Sequence, residues 1–141
     1  MGPVLIKWEG KSLKAAVYER FGQPTDVLQY KEVETPTPKD DKVLVRIHAS
    51  SINYGDNAIL TGKPFFVRFM GLGVLAPKKK IIGGDIAGVV ESVGRDVTKF
   101  QPGDEVYAEI GSFGMGAYAE YAVVSETLLV PKPSNMTFEE A

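Results

Sequence analysis

Apolar and polar residues alternate most cleanly over residues 42–50. Val43, Val45, Ile47 and Ala49 fall on one face, and Leu44, Arg46 and His48 on the other, which is the spacing of a half-buried strand. Residues 14–18 and 27–33 read as two earlier strands, separated by a loop over 22–25; Pro36, Pro38 and Asp40-Asp41 then break the pattern. Residues 81–94 are β-branched and apolar, with Gly83, Gly84, Gly88 and Gly94 set among them. Glycines in a strand pattern mark bulges or close backbone approach. Gln101-Pro102-Gly103-Asp104 predicts a type II turn, because Pro presets φ and Gly accepts positive φ, and residues 105–108 follow as a strand. Residues 117–124 alternate again, and 128–133 close the β region. Between these strands, 51–56 reads as a turn and 57–60 as one helical turn stopped by Gly62 and Pro64. The apolar run 65–76 lacks a clean period and predicts an insertion or short helix packed on something, since aromatic clusters are seldom left in water. Many short strands with Gly and Pro turns predict an all-β barrel or sandwich.

Composition narrows the function classes. A chain of 141 residues with 44% hydrophobic and 24% charged residues is an ordinary globular domain. A net charge of −2 speaks against nucleic acid or an anionic membrane as a main partner. The absence of cysteine removes disulfides, thiol nucleophiles and thiolate-ligated zinc. No apolar run approaches the ~18 residues of a membrane span. Residues 1–13 include Lys7, Trp8, Glu9 and Lys11 and have no signal-peptide core, so the cytoplasm is the expected compartment.

Gly83-Gly84-Asp85-Ile86-Ala87-Gly88, followed by Val93-Gly94, Val97, Phe100, Gly103-Asp104 and Val106, resembles the N-terminal domain of medium-chain dehydrogenases/reductases. Within that superfamily the chain is similar to the zinc-free quinone oxidoreductase (zeta-crystallin-like) branch. The resemblance implies a mainly β, GroES-like, partly open barrel with one or two short helices. It covers residues 14–136 as the catalytic domain and leaves 1–13 as an extension of unassigned role. Thr137 and Glu140 have capping-box spacing, which announces a helix, yet the sequence stops at Ala141. In two-domain reductases of this type such a helix leads into a Rossmann cofactor domain, which this chain lacks.

The resemblance also nominates site residues. Asn53 stands where zinc-dependent relatives carry a metal-binding Cys, and Gly84-Asp85 where they carry His-Glu; an amide and a glycine do not replace those ligands, so no metal is expected. Asn53, Tyr54 and Asp56 would be catalytic, with Asn53 on the nicotinamide side, and Tyr54, Phe66 and Asp85 would line the substrate pocket. The plainer alternatives stay open: Asn53 and Asp56 as turn residues bonding their own backbone, and Asp85 as a structural carboxylate. Phe65, Phe66, Phe69 and Met70 read equally as a substrate lid or a satellite core. His48, the only histidine, reads as a strand-surface residue, and Arg68 with Lys78, Lys79 and Lys80 as a solvated basic face. Gly111, Gly114 and Gly116 do not make a phosphate loop, because a strand follows where a helix is required. The implied function is the substrate-side domain of an NADPH-dependent reductase of quinones or enones, inactive as this chain alone, with homo-oligomerisation possible. A non-enzymatic GroES-like binding or assembly module and a fragment of a zinc alcohol dehydrogenase are the competing expectations.

Overall fold

A computed structural model describes residues 12–112 and 115–141. Most of the proposed extension, residues 1–11, and two residues of the 111–116 loop lie outside the described residues. Two antiparallel sheets form the body. Strands β1 (Ser12–Val17) and β2 (Gln29–Glu34) pair as a hairpin-like ribbon. A five-stranded sheet runs in the order β6-β3-β4-β5-β7, with β3 at Lys42–Ala49, β4 at Asp85–Val93, β5 at Glu105–Glu109, β6 at Tyr121–Ser125 and β7 at Val130–Pro131. Isolated bridges, Ala15 to Ala119 and Val17 to Ile81, stitch the small sheet to loops of the large one. The sheets do not close into a continuous barrel, in keeping with the partly open GroES-like architecture.

The alternation along β3 has a direct cause. Val43 and Val45 are fully buried with Ile86, Val90, Val106 and Val124 in the main core, while Arg46 and His48 are exposed. Leu44 departs from the pattern: it is buried too, although it faces away from Val43 and Val45. β3 is hydrogen-bonded on both sides, to β4 and β6, so both of its edges are satisfied. Its register against β4 slips twice, between Leu44 and Val45 and between Ile47 and Ala49. Gly88 sits opposite the second slip, where a Cβ would lie 2.1 Å from the Arg46 carbonyl oxygen. That contact explains the glycine within an otherwise β-branched strand.

Several local expectations need correction. The predicted loop over 22–25 contains a one-turn helix, α1 (Pro24–Val27), opened by proline at its first position, and Val27 ends that helix rather than starting β2. The turn-like residues 54–56 are the first turn of α2 (Tyr54–Thr61), a two-turn helix that ends at Gly62 in the left-handed conformation. Strand β6 starts at Tyr121, because residues 117–120 cross between sheets, bridging once through Ala119. β1 begins at Ser12, two residues before the expected strand start at Lys14. Phe65–Phe69 is a short 3₁₀ helix after α2, but its aromatics do not pack as expected: Phe65, Phe66, Phe69 and Met70 are all exposed. The Gln101–Asp104 turn is as predicted, with Gly103 at φ 97° and the Asp104 N–H donating to the Gln101 carbonyl at 3.2 Å.

Beyond β7 the chain is fastened down by Lys132, whose side chain is only 5% exposed. Its ammonium pairs with Glu105 at 2.9 Å, donates to the Met136 carbonyl and lies over the Phe138 ring. Phe138 in turn stacks on His48 at 4.4 Å, so the lone histidine is a platform for the last residues. The Thr137 N–H and hydroxyl both donate to Glu140, and the Ala141 N–H reaches the Thr137 carbonyl, which makes one helical turn.

Gly88→Ala should destabilise the protein by about 1–3 kcal/mol, the usual cost of forcing atoms into a packed site. Urea denaturation would show the shift in midpoint, and an unchanged midpoint would mean that β3 and β4 do not approach as described.

Candidate active site

Helix α2 begins at Tyr54, after residues 50–53 lead away from the end of β3. Asn53 is its N-cap and Asp56 its third residue, and the two form a capping box. The Asn53 backbone N–H donates to the Asp56 carboxylate at 2.8 Å, answering one of the donors a helix start leaves open. Leu60, on the next turn, anchors the helix in a second core cluster with Tyr18, Val27 and Ile82. The helix start is thus held at one end by capping and at the other by burial.

Two contacts distant in sequence complete the arrangement. The same Asp56 oxygen accepts the Tyr118 hydroxyl at 2.6 Å, and Asp56 is 6% exposed. Burial, and then the hydrogen bond and negative charge of Asp56, push the Tyr118 phenol well above its ordinary range. The Asn53 side chain reaches the other way: its Nδ2 donates to Asp85 at 2.5 Å and to the Ser51 hydroxyl at 3.2 Å. Ser51 donates to the same Asp85 oxygen at 2.6 Å. Because a carboxylate only accepts, Asp85 fixes which end of the Asn53 amide faces it.

The nominated residues therefore separate into groups. Asn53 and Asp85 are in direct contact, and Asp56 lies beneath them as a buried support. Tyr54, the first residue of α2, is 91% exposed beside them. Phe66 stands apart on the 3₁₀ helix, 64% exposed; of the nominated residues only Asp85 lines the cleft described next. Ser51 and Tyr118 were not singled out from the sequence, yet three of the five hydrogen bonds described here involve one of them.

Ser51 and Asp85 form part of the wall of an open cleft of ≈ 470 Å³, also lined by Ile86, Tyr107, Glu109 and Phe138. Asp85 and Glu109 are cross-strand partners, so two acidic side chains stand side by side on this wall. Their proximity is tolerated because each carboxylate has donors: Ser51 and Asn53 for Asp85, and the Gly111 N–H, at 2.6 Å, for Glu109. Among the described residues no group of three or more His, Asp or Glu side chains could hold a metal ion.

Replacing Tyr118 by Phe should cost about 1–3 kcal/mol at neutral pH, the usual penalty for stripping a donor from a buried acceptor. The pH dependence follows from the raised phenol. Its contribution is complete below the ordinary tyrosine pKa, about 10, and is lost as pH rises through the native value. Wild-type and Tyr118→Phe stabilities measured by denaturant titration should therefore converge above that pH. A gap that stays constant would contradict the role given to the hydroxyl.

Residues 39–134 match the alcohol dehydrogenase GroES-like domain family. Among similar curated proteins, the chloroplastic quinone-oxidoreductase QR1 of Triphysaria versicolor is 37% identical over 134 residues, 94% of this chain and 38% of that protein. The chloroplastic NADPH-dependent alkenal/one oxidoreductase of Arabidopsis thaliana is 36% identical over 138 residues, 93% of this chain and 34% of that protein. The structure of the quinone oxidoreductase from Coxiella burnetii superposes with a TM-score of 0.80 at 29% identity, covering 93% of this chain and 40% of that one. The chain spans little more than a third of the length of these relatives. On the family match and these relatives, with the fold in agreement, the chain belongs to the alcohol dehydrogenase GroES-like domains of the medium-chain dehydrogenase/reductase superfamily, in the quinone oxidoreductase-like branch.

Proposed function

We propose that this chain is the substrate-side domain of a zinc-free reductase that uses NADPH to reduce quinones or α,β-unsaturated carbonyls, and that its reacting end is the Ser51–Asn53–Asp85 cluster. The observation that carries the reading is the hydrogen-bonded cluster in which Asn53 and Ser51 both donate to Asp85, with Ser51 and Asp85 lining a cleft of ≈ 470 Å³. A polar group fixed before substrate arrives needs no reorganisation during reaction, which is where enzymes gain most of their electrostatic stabilisation. The names of the relatives, quinone oxidoreductases and an alkenal/one oxidoreductase, support the same substrate class.

A bound nicotinamide dinucleotide supplies the hydride. The side chains here orient the partners and set the local charge. Asp85 and Glu109 make the cleft wall negative, which favours the positive charge that builds on a nicotinamide ring as hydride leaves. Tyr54, exposed at the helix start, offers its hydroxyl to a carbonyl oxygen that is gaining charge. Asp56, nominated as catalytic from the sequence, takes a positioning role in this proposal: with Tyr118 it keeps Asn53 in place. The donor set at the cleft, amide, hydroxyl and carboxylate, lacks the thiolate and imidazole that zinc prefers.

The main dinucleotide site belongs to a further domain, so the 141-residue chain by itself should oxidise no NADPH in the presence of a quinone. In the protein that joins this chain to a cofactor domain, Asn53→Ser keeps a capping oxygen while removing the amide. That variant should lose roughly tenfold or more in kcat/KM with little change in stability. Following the absorbance of the reduced nicotinamide tests both points. Turnover by the chain alone, or an Asn53→Ser enzyme as fast as wild type, would refute the reading.

A further inference from the structure

The charge along this chain is unevenly placed. From Asn57 to Gly84 it carries Lys63, Arg68, Lys78, Lys79 and Lys80 and no acidic residue, although acids outnumber bases, 18 to 16, in the whole chain. The net charge that set membranes aside conceals this basic stretch. Among the described residues, the same stretch carries the largest run of exposed apolar side chains: Phe65, Phe66, Phe69, Met70 and Leu75, the last 94% exposed.

Geometry gathers both kinds of residue into one lobe. Phe66 and Phe69 are three apart on the 3₁₀ helix and so share a side. Phe65 meets Phe69 edge-on at 5.5 Å. The Arg68 guanidinium lies between the Phe65 and Phe21 rings, at 5.0 and 4.3 Å, and bonds the Gly62 and Val74 carbonyls. It braces the lobe from within, and Phe65, Phe66 and Phe69 each remain more than half exposed. The Lys78 N–H donates to the Leu72 carbonyl at 2.8 Å, closing the loop that bears Leu75 and returning the three lysines beside it. Lys78, Lys79 and Lys80 are all exposed, and the Lys80 ammonium makes a long, solvated pairing with Glu19 at 3.8 Å.

We propose that this lobe docks the protein onto lipid surfaces that carry anionic headgroups. Aromatic and aliphatic side chains gain by leaving water for the interfacial zone, and lysines around them gain from the negative surface potential. The complementarity is of charge as well as hydrophobicity: a basic apolar lobe on a chain that is acidic elsewhere orients itself toward such a surface. The inference does not depend on the catalytic reading, since no lobe residue lines the cleft.

The test is co-sedimentation of the chain with vesicles of phosphatidylcholine alone and of phosphatidylcholine mixed with phosphatidylserine. Binding should require phosphatidylserine and weaken with added salt. Each lysine removed in Lys78→Gln, Lys79→Gln and Lys80→Gln should weaken binding about fivefold. Phe66→Ser with Phe69→Ser should reduce it further, with circular dichroism verifying that the fold is intact. Failure of the wild-type chain to bind, or equal binding to both vesicle types, would overturn the proposal. So would sedimentation velocity showing, without vesicles, a dimer that the phenylalanine changes dissolve, because a second copy would then be the occupant of the lobe.

Discussion

The site depends on one buried carboxylate. Asp56 receives the Asn53 N–H and the Tyr118 hydroxyl on a single oxygen, and so ties the start of α2 to the strand crossing that leads into β6. Without that joint, Asn53 would sit on an untethered turn at the end of β3. With it, the Asn53 side chain meets Asp85, the first residue of β4, and Ser51 closes the third side. Burying a carboxylate is costly unless it is well partnered, and Asp56 is well partnered. The expense is local, and the positioning reaches across three elements.

The sheet provides the frame for this joint. β3 and β4 share the longest pairing in the larger sheet, and Asn53 and Asp85 lie just beyond the end of one strand and at the start of the other. Antiparallel pairing brings these two ends together, so their contact follows from register. Gly88 allows the close backbone approach that keeps the register. At the far wall, Lys132, Phe138 and His48 hold the last residues against the sheet.

The sequence showed what local rules can show. Alternation located β3, Pro102-Gly103 located its turn, and the glycine-spaced block located β4 and the family. The helix start at Tyr54 was hidden because Asn, Gly and Asp are turn formers; the spacing of Asn53 and Asp56 is nevertheless the capping spacing that was recognised at Thr137 and Glu140. Tyr118 was invisible for a different reason. Its partner is 62 residues away, and no periodicity within 117–124 reports a hydroxyl that leaves the strand pattern to reach a helix. The aromatic run 65–70 misled in the opposite direction: packing was expected, and the side chains lie in solvent beside a basic loop.

The most direct test of the account is the side-chain amide of Asn53 in the ¹H–¹⁵N spectrum of the chain. If Asp85 holds that amide and Asp56 with Tyr118 holds its backbone, its two protons should be widely separated, with one shifted downfield by the carboxylate. Asp85→Ala should collapse the separation, and Tyr118→Phe should move the resonances although Tyr118 does not touch the amide. A narrow, solvent-like pair unaffected by either substitution would mean that Asn53 and Asp85 are neighbours without forming a site.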